Sequence, residues 1–217
     1  PFCLSVSFNA SHAEDGDKKN HFPYPKVVGS LYEGVKMPKP KLSDPKVFES
    51  QPEFLRKSMN RDRYFWRWDT EEKYQNNMRN YLRMISGIDH AIGRVIKELE
   101  SQGMAENTVI IYMADNGYYA ASRGFAGKWS HYEESQRVPL IIFDPRAKKE
   151  ARGKREKGIA LNVDIAPTIV ALAGARMPQG YQGRSLTTSF EGSPEVQAPV
   201  DFFCEHRMNN KSIPKWE

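Results

Sequence analysis

Two short, uninterrupted apolar runs constrain the fold of this chain more than any other feature of its sequence. They lie at residues 108–114 and 138–143, and each has the length of a single strand. Because neither run alternates apolar with polar residues, both are typical of strands buried on both faces, as in a parallel sheet. The two runs therefore predict two strands of a buried sheet.

A long amphipathic helix precedes the first run. Its apolar residues recur at three- and four-residue steps. They are Tyr81, Ile85, Ile88, Ile92, Val95, Ile96 and Leu99. Asp69 can cap the N-terminus with Glu72 three residues on, and Gly103 suits the C-cap region. A shorter helix is predicted from Asp164 to Gly174, with a proline in its first turn. This succession of strands and helices indicates an α/β fold.

The remaining segments are less regular. Residues 2–8 alternate apolar with polar side chains, which predicts a half-buried strand, and residues 200–204 are a candidate for another. Residues 16–68 show no sustained period and are predicted to form a long loop, which is often functional. The charge run at residues 148–157 is expected to be a solvated loop. A strand that starts at residue 2 implies a preceding segment, so we expect this sequence to be a piece of a longer protein.

The composition limits the partners. Lys and Arg number 32 against 27 Asp and Glu, and the resulting net charge of +5 favours anionic partners. No apolar run approaches the roughly 20 residues that cross a bilayer. No helix-turn-helix or zinc-finger spacing points to nucleic acid. Cys3 and Cys204 allow at most one disulfide, and only if their strands are neighbours.

The residues that can carry chemistry follow the first apolar run. Asp115 and Asn116 come directly after it, where ligands collect in open α/β sheets, and their side-chain oxygens suit Ca²⁺ or Mg²⁺. Alone, Asp-Asn-Gly is a common turn. The chain continues into a Gly-rich loop that holds Gly127 and Lys128, a combination that suits anion binding. The loop does not have the spacing of a nucleotide P-loop.

Taken in order, these motifs resemble the type I sulfatases of the alkaline-phosphatase-like superfamily. The matching segments are Asp115-Asn116-Gly117, Gly127-Lys128, Tyr132-Glu133, Arg137-Val138-Pro139-Leu140-Ile141 and Asp164-Ile165-Ala166-Pro167-Thr168. Gly174, Pro178, Gly183 and Ser185-Leu186 follow, and Ile88-Asp89 with Ile92-Gly93 and Leu99 matches the family's long helix. Residues 1–12 are similar to a strand that ends in a Pro-His pair, with Ser11 in place of the proline.

The resemblance implies a fold and a location. It implies an alkaline-phosphatase-like sandwich with a mostly parallel central sheet flanked by helices, incomplete in this chain. Residues 1–190 would be the C-proximal part of the catalytic α/β domain, with 16–68 as a long loop insertion. Residues 191–217 would be a connection and strand toward a missing C-terminal subdomain. Enzymes of this family are found in the periplasm, outside the cell or in lysosomes.

The resemblance also implies roles for single residues. Asp115 and Asn116 would be two ligands of a divalent cation, usually Ca²⁺. Lys128 would contact the sulfate oxygens, and His12 would donate a hydrogen bond or proton to the leaving-group oxygen. In this family a formylglycine hydrate made from Cys or Ser attacks sulfur, the alcohol leaves, and the enzyme-bound sulfate is eliminated. A metal and a lysine would bind the anionic sulfate, and a histidine suits the acid.

Five side chains keep two interpretations each. His131, three residues after Lys128, either faces the substrate or packs. Trp66 and Trp68, with Arg63 and Arg67, form either a rim that stacks on sugars and binds sulfate or an aromatic layer over the helix.

Two departures from the family pattern affect the expected function. Neither Cys3 nor Cys204 is followed by Pro-x-Arg, the context of the nucleophile, and the chain has no Asp-Asp pair to complete the metal site. We therefore expect a fragment of a hydrolase for a sulfated sugar or aryl sulfate, without turnover of its own, and a formylglycine in an upstream segment. Two alternatives remain. One is a phosphodiesterase or phosphonate hydrolase of the same superfamily, and the other is a non-catalytic polyanion-binding module.

Overall fold

The chain divides into two compact units. The computed structural model describes residues 2–187, 199 and 201–205. Of these, the first unit contains residues 2–103 and 116–138, and the second contains the remainder. The predicted boundary between residues 190 and 191 stays a prediction, because most of the segment after it lies outside the described residues.

The first unit is helical. Its helices are α1 (Pro45–Glu49), α2 (Glu53–Arg56), α3 (Met59–Arg67), α4 (Glu71–Ser101) and α5 (Glu133–Gln136), with single 3₁₀ turns at Lys26–Val28 and Ser122–Gly124. The prediction of one long loop over residues 16–68 was wrong, because α1, α2 and α3 all lie within it. α1 and α2 are only five and four residues long, too short to show a periodic pattern.

The core of the first unit draws on that same stretch. Phe22 is fully buried against Trp68, with a ring-centroid distance of 5.3 Å, and Tyr81 packs edge-on at 5.6 Å. Burying such a ring contributes about 2–3 kcal/mol to stability. Ala13 and Ala126 belong to the same buried cluster. The end of the N-terminal segment and the Gly-rich loop are therefore packed on one core.

Helix α4 confirms the predicted long helix, although its cap lies one residue later than expected. The Thr70 hydroxyl accepts the N-terminal hydrogen bond from the Lys73 backbone amide at 3.2 Å. Asp69 pairs instead with the Lys73 ammonium at 2.6 Å. Gly103 follows the helix with φ +66°, a left-handed conformation that favours glycine.

The burial of α4 differs from the apolar pattern. Of the seven predicted core residues only Ile88 and Leu99 are fully buried, and Ile85, Val95 and Ile96 are exposed. Polar side chains fill part of the buried face instead. They are Asn77, Asn80 and Arg83, and their amide and guanidinium groups form hydrogen bonds to neighbouring groups.

Residues 2–8 do not form the predicted half-buried strand. They have no regular secondary structure, and Leu4 is 70% exposed. Alternation alone does not bury a segment, and these residues pair with no strand in the described chain. Residues 201–205 are not a strand either, and residue 200 lies outside the described residues. Cys3 and Cys204 are both exposed and free, so they do not form a disulfide.

The second unit contains both predicted apolar strands. β1 (Ile110–Met113) and β2 (Leu140–Phe143) pair antiparallel, with Ile111 opposite Ile142. The prediction of strands buried on both faces was wrong. β1 is half-buried along its length, and β2 alternates, with Ile141 58% exposed. In the described part of the chain the sheet has two strands, and they are antiparallel.

Helix α6 (Ile165–Leu172) confirms the second predicted helix, and Gly174 follows it with φ +64°. Asp164, just before the helix, is buried. Its carboxylate accepts hydrogen bonds of 2.9 Å from the backbone amides of Leu161 and Arg184. The Thr168 hydroxyl donates to the Asp164 carbonyl at 2.6 Å and accepts from the Leu186 amide at 2.8 Å. Two of these four bonds, from the amides of Arg184 and Leu186, tie the helix start to residues 184–186.

Two further expectations concern the surface. The charge run at 148–157 is exposed except for half-buried Ala151, and one 3₁₀ turn (Lys149–Ala151) interrupts it. None of the helices in the described residues has an apolar stretch long enough to cross a membrane, α4 included.

Candidate active site

The loop that carries Lys128 turns sharply around it. Gly127 has φ +92° and Trp129 has φ +75°, so both residues beside Lys128 lie in the left-handed region. A Cβ on Gly127 would lie 2.6 Å from Asn60 Oδ1, which excludes any larger residue without movement. A bulky non-glycine residue at positive φ is uncommon and is retained where the surroundings enforce it.

Asn60 on α3 makes several of the contacts that stabilise this turn. Its side chain is buried, and Nδ2 donates to the Lys128 carbonyl oxygen at 2.6 Å. The main-chain carbonyl oxygen of Asn60 accepts a hydrogen bond from the Ala126 amide at 2.9 Å. On the other side of the turn, the Gly127 carbonyl accepts from the Tyr119 amide at 3.0 Å. The main chain on both sides of Lys128 is therefore fixed by hydrogen bonds.

The Lys128 side chain has a different environment from its main chain. Lys128 is half-buried, and in the part of the chain that the structure describes its ammonium group forms no ion pair with a carboxylate. A positioned cation without a fixed counterion can bind an anionic ligand.

His12 lies at the end of the N-terminal segment and is exposed. Its Nδ1 is 2.8 Å from the Ala13 carbonyl oxygen. A carbonyl only accepts, so Nδ1 carries the proton in this hydrogen bond. Nε2 then remains for a ligand, as an acceptor in the neutral ring and as a donor in the cation.

Asp15 connects the His12 segment to α3. Its carboxylate pairs with Arg63 at 2.8 Å and also with Arg67, which is 1% exposed. The Arg63 guanidinium lies over the Trp129 ring, 4.4 Å from its centroid. One helix, α3, therefore contacts both the segment of His12 and the turn of Lys128.

Asp115 and Asn116 are adjacent in sequence and fall on either side of the boundary between the two units. Asp115 is exposed at the end of the β1 segment, and its carbonyl accepts from Asn162 Nδ2 at 3.1 Å. Asn116 is half-buried, and its Nδ2 donates to the Gly117 carbonyl at 2.8 Å. Gly117 is required here because a Cβ would lie 2.2 Å from the Glu134 carbonyl oxygen.

The donor chemistry of Asp115 and Asn116 fits a hard divalent cation, which prefers carboxylate and amide oxygens. Such a cation takes six to eight oxygen ligands when it is Ca²⁺. Across residues 2–187, 199 and 201–205, no group of three or more Asp, Glu, His or Cys side chains is placed to hold a metal ion. Asp115 and Asn116 can therefore supply only some of the oxygen ligands that such a cation needs.

The sequence was compared with models of known protein families. The family model described as Sulfatase matches residues 1–175 of the 217. The chain belongs to the sulfatase family.

This sulfatase chain is also similar to individual proteins. It is 41% identical over 130 residues to an N-acetylglucosamine-6-O-sulfatase of Bacteroides thetaiotaomicron, a match that covers 60% of the chain. The chain spans only 23% of that relative's length.

Two of the solved structures that are similar to it illustrate the match. One is described as being in complex with its substrate D-glucosamine-2-N,6-O-disulfate. It is 40% identical with a TM-score of 0.54, and the match covers 61% of this chain and 26% of that one. The other is a phosphonate monoester hydrolase from Silicibacter pomeroyi, 27% identical with a TM-score of 0.66, covering 82% and 36%.

Of the predicted site residues, the sulfatase fold places His12 and Lys128 on segments that share the α3 helix and one core cluster. His131 is half-buried in the loop that follows Lys128. Of the two interpretations left open for Trp66, Trp68, Arg63 and Arg67, the structure favours the aromatic layer over the helix. Trp68 and Arg67 are buried, and the Trp68 ring lies 5.9 Å from that of Tyr74 on α4. Of the two tryptophans, only Trp66 is exposed.

Sequence reasoning missed Asn60 and Asp15. Asn60 lies 68 residues from the lysine whose carbonyl it binds, and Asp15 lies 52 residues from Arg67. No local pattern marks either residue. The available indication was general, since a glycine turn beside a lysine needs a polar partner for its exposed main chain.

Proposed function

We propose that this chain supplies sulfate-binding and metal-binding residues of a sulfuric ester hydrolase that acts on a sulfated sugar or an aryl sulfate. The observation that carries the proposal is the environment of Lys128. Hydrogen bonds fix its main chain, while its ammonium group lacks a carboxylate partner in the described residues.

Each residue has a defined task in this proposal. The Lys128 ammonium binds sulfate oxygens and stabilises negative charge that develops there during transfer. His12 Nε2, protonated in the imidazolium form, donates to the leaving alcohol oxygen, which would otherwise depart as a poor alkoxide. The Nδ1 contact with the Ala13 carbonyl holds the ring so that Nε2 is the nitrogen presented to substrate.

Asp115 and Asn116 would hold part of a site for Ca²⁺ or another divalent cation. When bound, such a cation supplies Lewis-acid stabilisation of sulfate charge. The 217 residues contain neither a Cys/Ser-x-Pro-x-Arg sequence nor an Asp-Asp pair. Because no Cys or Ser in the chain has the sequence context from which formylglycine is made, we expect this polypeptide to bind a sulfate ester without hydrolysing it.

Sulfated sugars are the favoured substrate class. A relative at 41% identity is an N-acetylglucosamine-6-O-sulfatase, and a structure at 40% identity holds D-glucosamine-2-N,6-O-disulfate. We propose a sulfated amino sugar as the first ligand to test. A mostly parallel central sheet and a periplasmic, extracellular or lysosomal location remain parts of the proposal that the family suggests.

The test measures binding of N-acetylglucosamine-6-sulfate by calorimetry, with and without Ca²⁺. Lys128→Ala should weaken binding about 10- to 150-fold, since a hydrogen bond to a charged group is worth about 1.5–3 kcal/mol. The matched control is Lys97→Ala, which removes an exposed lysine from α4 and should leave binding unchanged. Equal effects of both variants would contradict the proposal, and turnover of 4-methylumbelliferyl sulfate by this chain would contradict the expected inactivity.

One alternative has a specific observation behind it. The similarity to a phosphonate monoester hydrolase covers 82% of the chain, so a phosphonate ester is the second ligand to test. Tighter binding of a phenylphosphonate ester than of the sulfated sugar would favour that alternative. The exposed basic run at 148–157 favours a polyanion-binding module only if heparin and DNA bind equally and with strong salt dependence.

A further inference from the structure

We propose that Asn60 is a positioning residue that holds Lys128 in the conformation in which it binds sulfate. This inference rests on the proposed sulfate role of Lys128 and adds a residue outside the loop that carries it. It begins with the geometry of the turn, where the residues on both sides of Lys128 have positive φ.

The Lys128 turn costs conformational energy that its own sequence does not offset. Gly127 adopts φ +92° without a steric penalty, but Trp129 at φ +75° has a Cβ and is disfavoured there by about 1 kcal/mol or more. Without outside contacts, the chain at Lys128 would relax to negative φ and redirect the side chain. The conformation therefore depends on contacts from other elements.

Three atoms of Asn60 contact the turn around Lys128. Its side-chain Nδ2 binds the Lys128 carbonyl at 2.6 Å, and its main-chain oxygen binds the Ala126 amide at 2.9 Å. Its Oδ1 occupies the space that a Gly127 side chain would need. Because Asn60 is 1% exposed, water cannot replace these bonds easily.

The contacts of Asn60 do not involve the ammonium group. The side chain binds the Lys128 main chain, so Asn60 neither touches sulfate nor changes the charge of the site. Its loss should alter where the ammonium lies while leaving the ammonium itself present. This separates a positioning role from a binding role, because the effect of Asn60 should disappear once the lysine is removed.

The test uses the full chain, with inorganic sulfate and N-acetylglucosamine-6-sulfate as calorimetric probes. Asn60→Leu keeps the side-chain size, adds no charge and removes the donor to the Lys128 carbonyl. The matched control is Asn77→Leu on α4, because buried Asn77 likewise donates from Nδ2 to a main-chain carbonyl, that of Arg67, at 2.8 Å. Both variants should lower the melting temperature by similar amounts, since each removes one buried amide–carbonyl bond.

The two variants should differ in ligand binding. Asn60→Leu should weaken binding of both probes about 3- to 10-fold, and Asn77→Leu should change it less than about 2-fold. Introduced into Lys128→Ala, Asn60→Leu should have no further effect, because positioning matters only while the lysine is present. If Asn60→Leu proves too unstable to fold, Asn60→Ala with Asn77→Ala makes the same comparison.

The outcomes separate this inference from the proposed function. If Lys128→Ala leaves binding unchanged, the sulfate role of Lys128 and the positioning role both fail. If Lys128→Ala weakens binding but the Asn60 variant binds as the Asn77 variant does, only the positioning role fails. Equal weakening by Asn60→Leu with and without Lys128 would also overturn it, since the effect would then be a general loss of structure.

Discussion

The contact between Asp15 and Arg67 should be among the most important polar interactions for the stability of the first unit. Arg67 is 1% exposed, and Asp15 is its only carboxylate partner in the described residues. Its Nε is buried without a hydrogen bond in that part of the chain. Asp15→Asn keeps the size of the side chain but removes the negative charge, so the guanidinium would stay buried without a counterion.

The burial of the two partners sets the size of the effect. Removing one partner of a fully buried ion pair costs about 3–5 kcal/mol, whereas exposed pairs are worth about 0–1 kcal/mol. The Asp15 side chain is 39% exposed, so water partly replaces it, while that of Arg67 is 2% exposed and cannot be rehydrated in place. Asp15 also pairs with Arg63, whose side chain is 16% exposed. We therefore expect Asp15→Asn to lower the free energy of unfolding by about 2 kcal/mol.

Equilibrium unfolding in urea measures this change, with the midpoint and the slope fitted separately. The matched control is Asp69→Asn, which breaks an exposed pair with Lys73 and should cost less than about 0.5 kcal/mol. The Arg67→Met change should recover part of the loss when added to Asp15→Asn, because it removes the unpaired charge. Equal stability of Asp15→Asn and Asp69→Asn would refute the reasoning.

Two further predictions concern other parts of the chain. Burial raises the pKa of Tyr119 from 10.0 to about 12, opposed by its hydrogen bond with Ser130. Its folded-state pKa lies above its unfolded value, so its contribution to stability is full below pH 10 and is lost as the pH rises toward 12. Thermal unfolding between pH 9 and pH 11.5 should show this loss in the wild type and much less of it in Tyr119→Phe. Gly183→Ala should destabilise by about 2 kcal/mol or more, because its Cβ would lie 2.0 Å from the Val163 carbonyl oxygen. In Gly93→Ala on α4, the added Cβ would meet no atom within 4 Å, so this variant should be more stable than the wild type by up to about 1 kcal/mol. Chemical denaturation measures both glycine variants, and a shift of both in the same direction would contradict these two predictions.

The features that the sequence predicted well are those that depend on residues close together in the chain. Helix α4 repeats its apolar positions over five turns, and Gly103 and Gly174 mark helix ends through a backbone conformation that few other residues adopt. The two apolar runs likewise predicted β1 and β2. In each case the physical cause lies within a few residues of the effect.

The features that sequence missed depend on distant partners. An apolar run does not reveal whether another strand or layer covers it, so the half-exposed faces of β1 and β2 could not be foreseen. The cap of α4 shows the local limit, because Asp69 and Thr70 are both good caps and differ by one residue. The family motifs identified Lys128, but Asn60, which fixes it, became visible only when the chain was folded.

The uneven burial of α4 has a consequence for local opening. The helix has 31 residues and is about 46 Å long at 1.5 Å per residue. No residue from Asp89 to Glu98 is buried, whereas the stretch from Tyr74 to Ile88 contributes six of its seven buried side chains. Tertiary contacts provide most of the stability of a helix, so the distal turns should fray without unfolding the core. Amide hydrogen exchange should therefore be slow up to Ile88 and faster beyond it, dividing one continuous helix into two regions of different persistence.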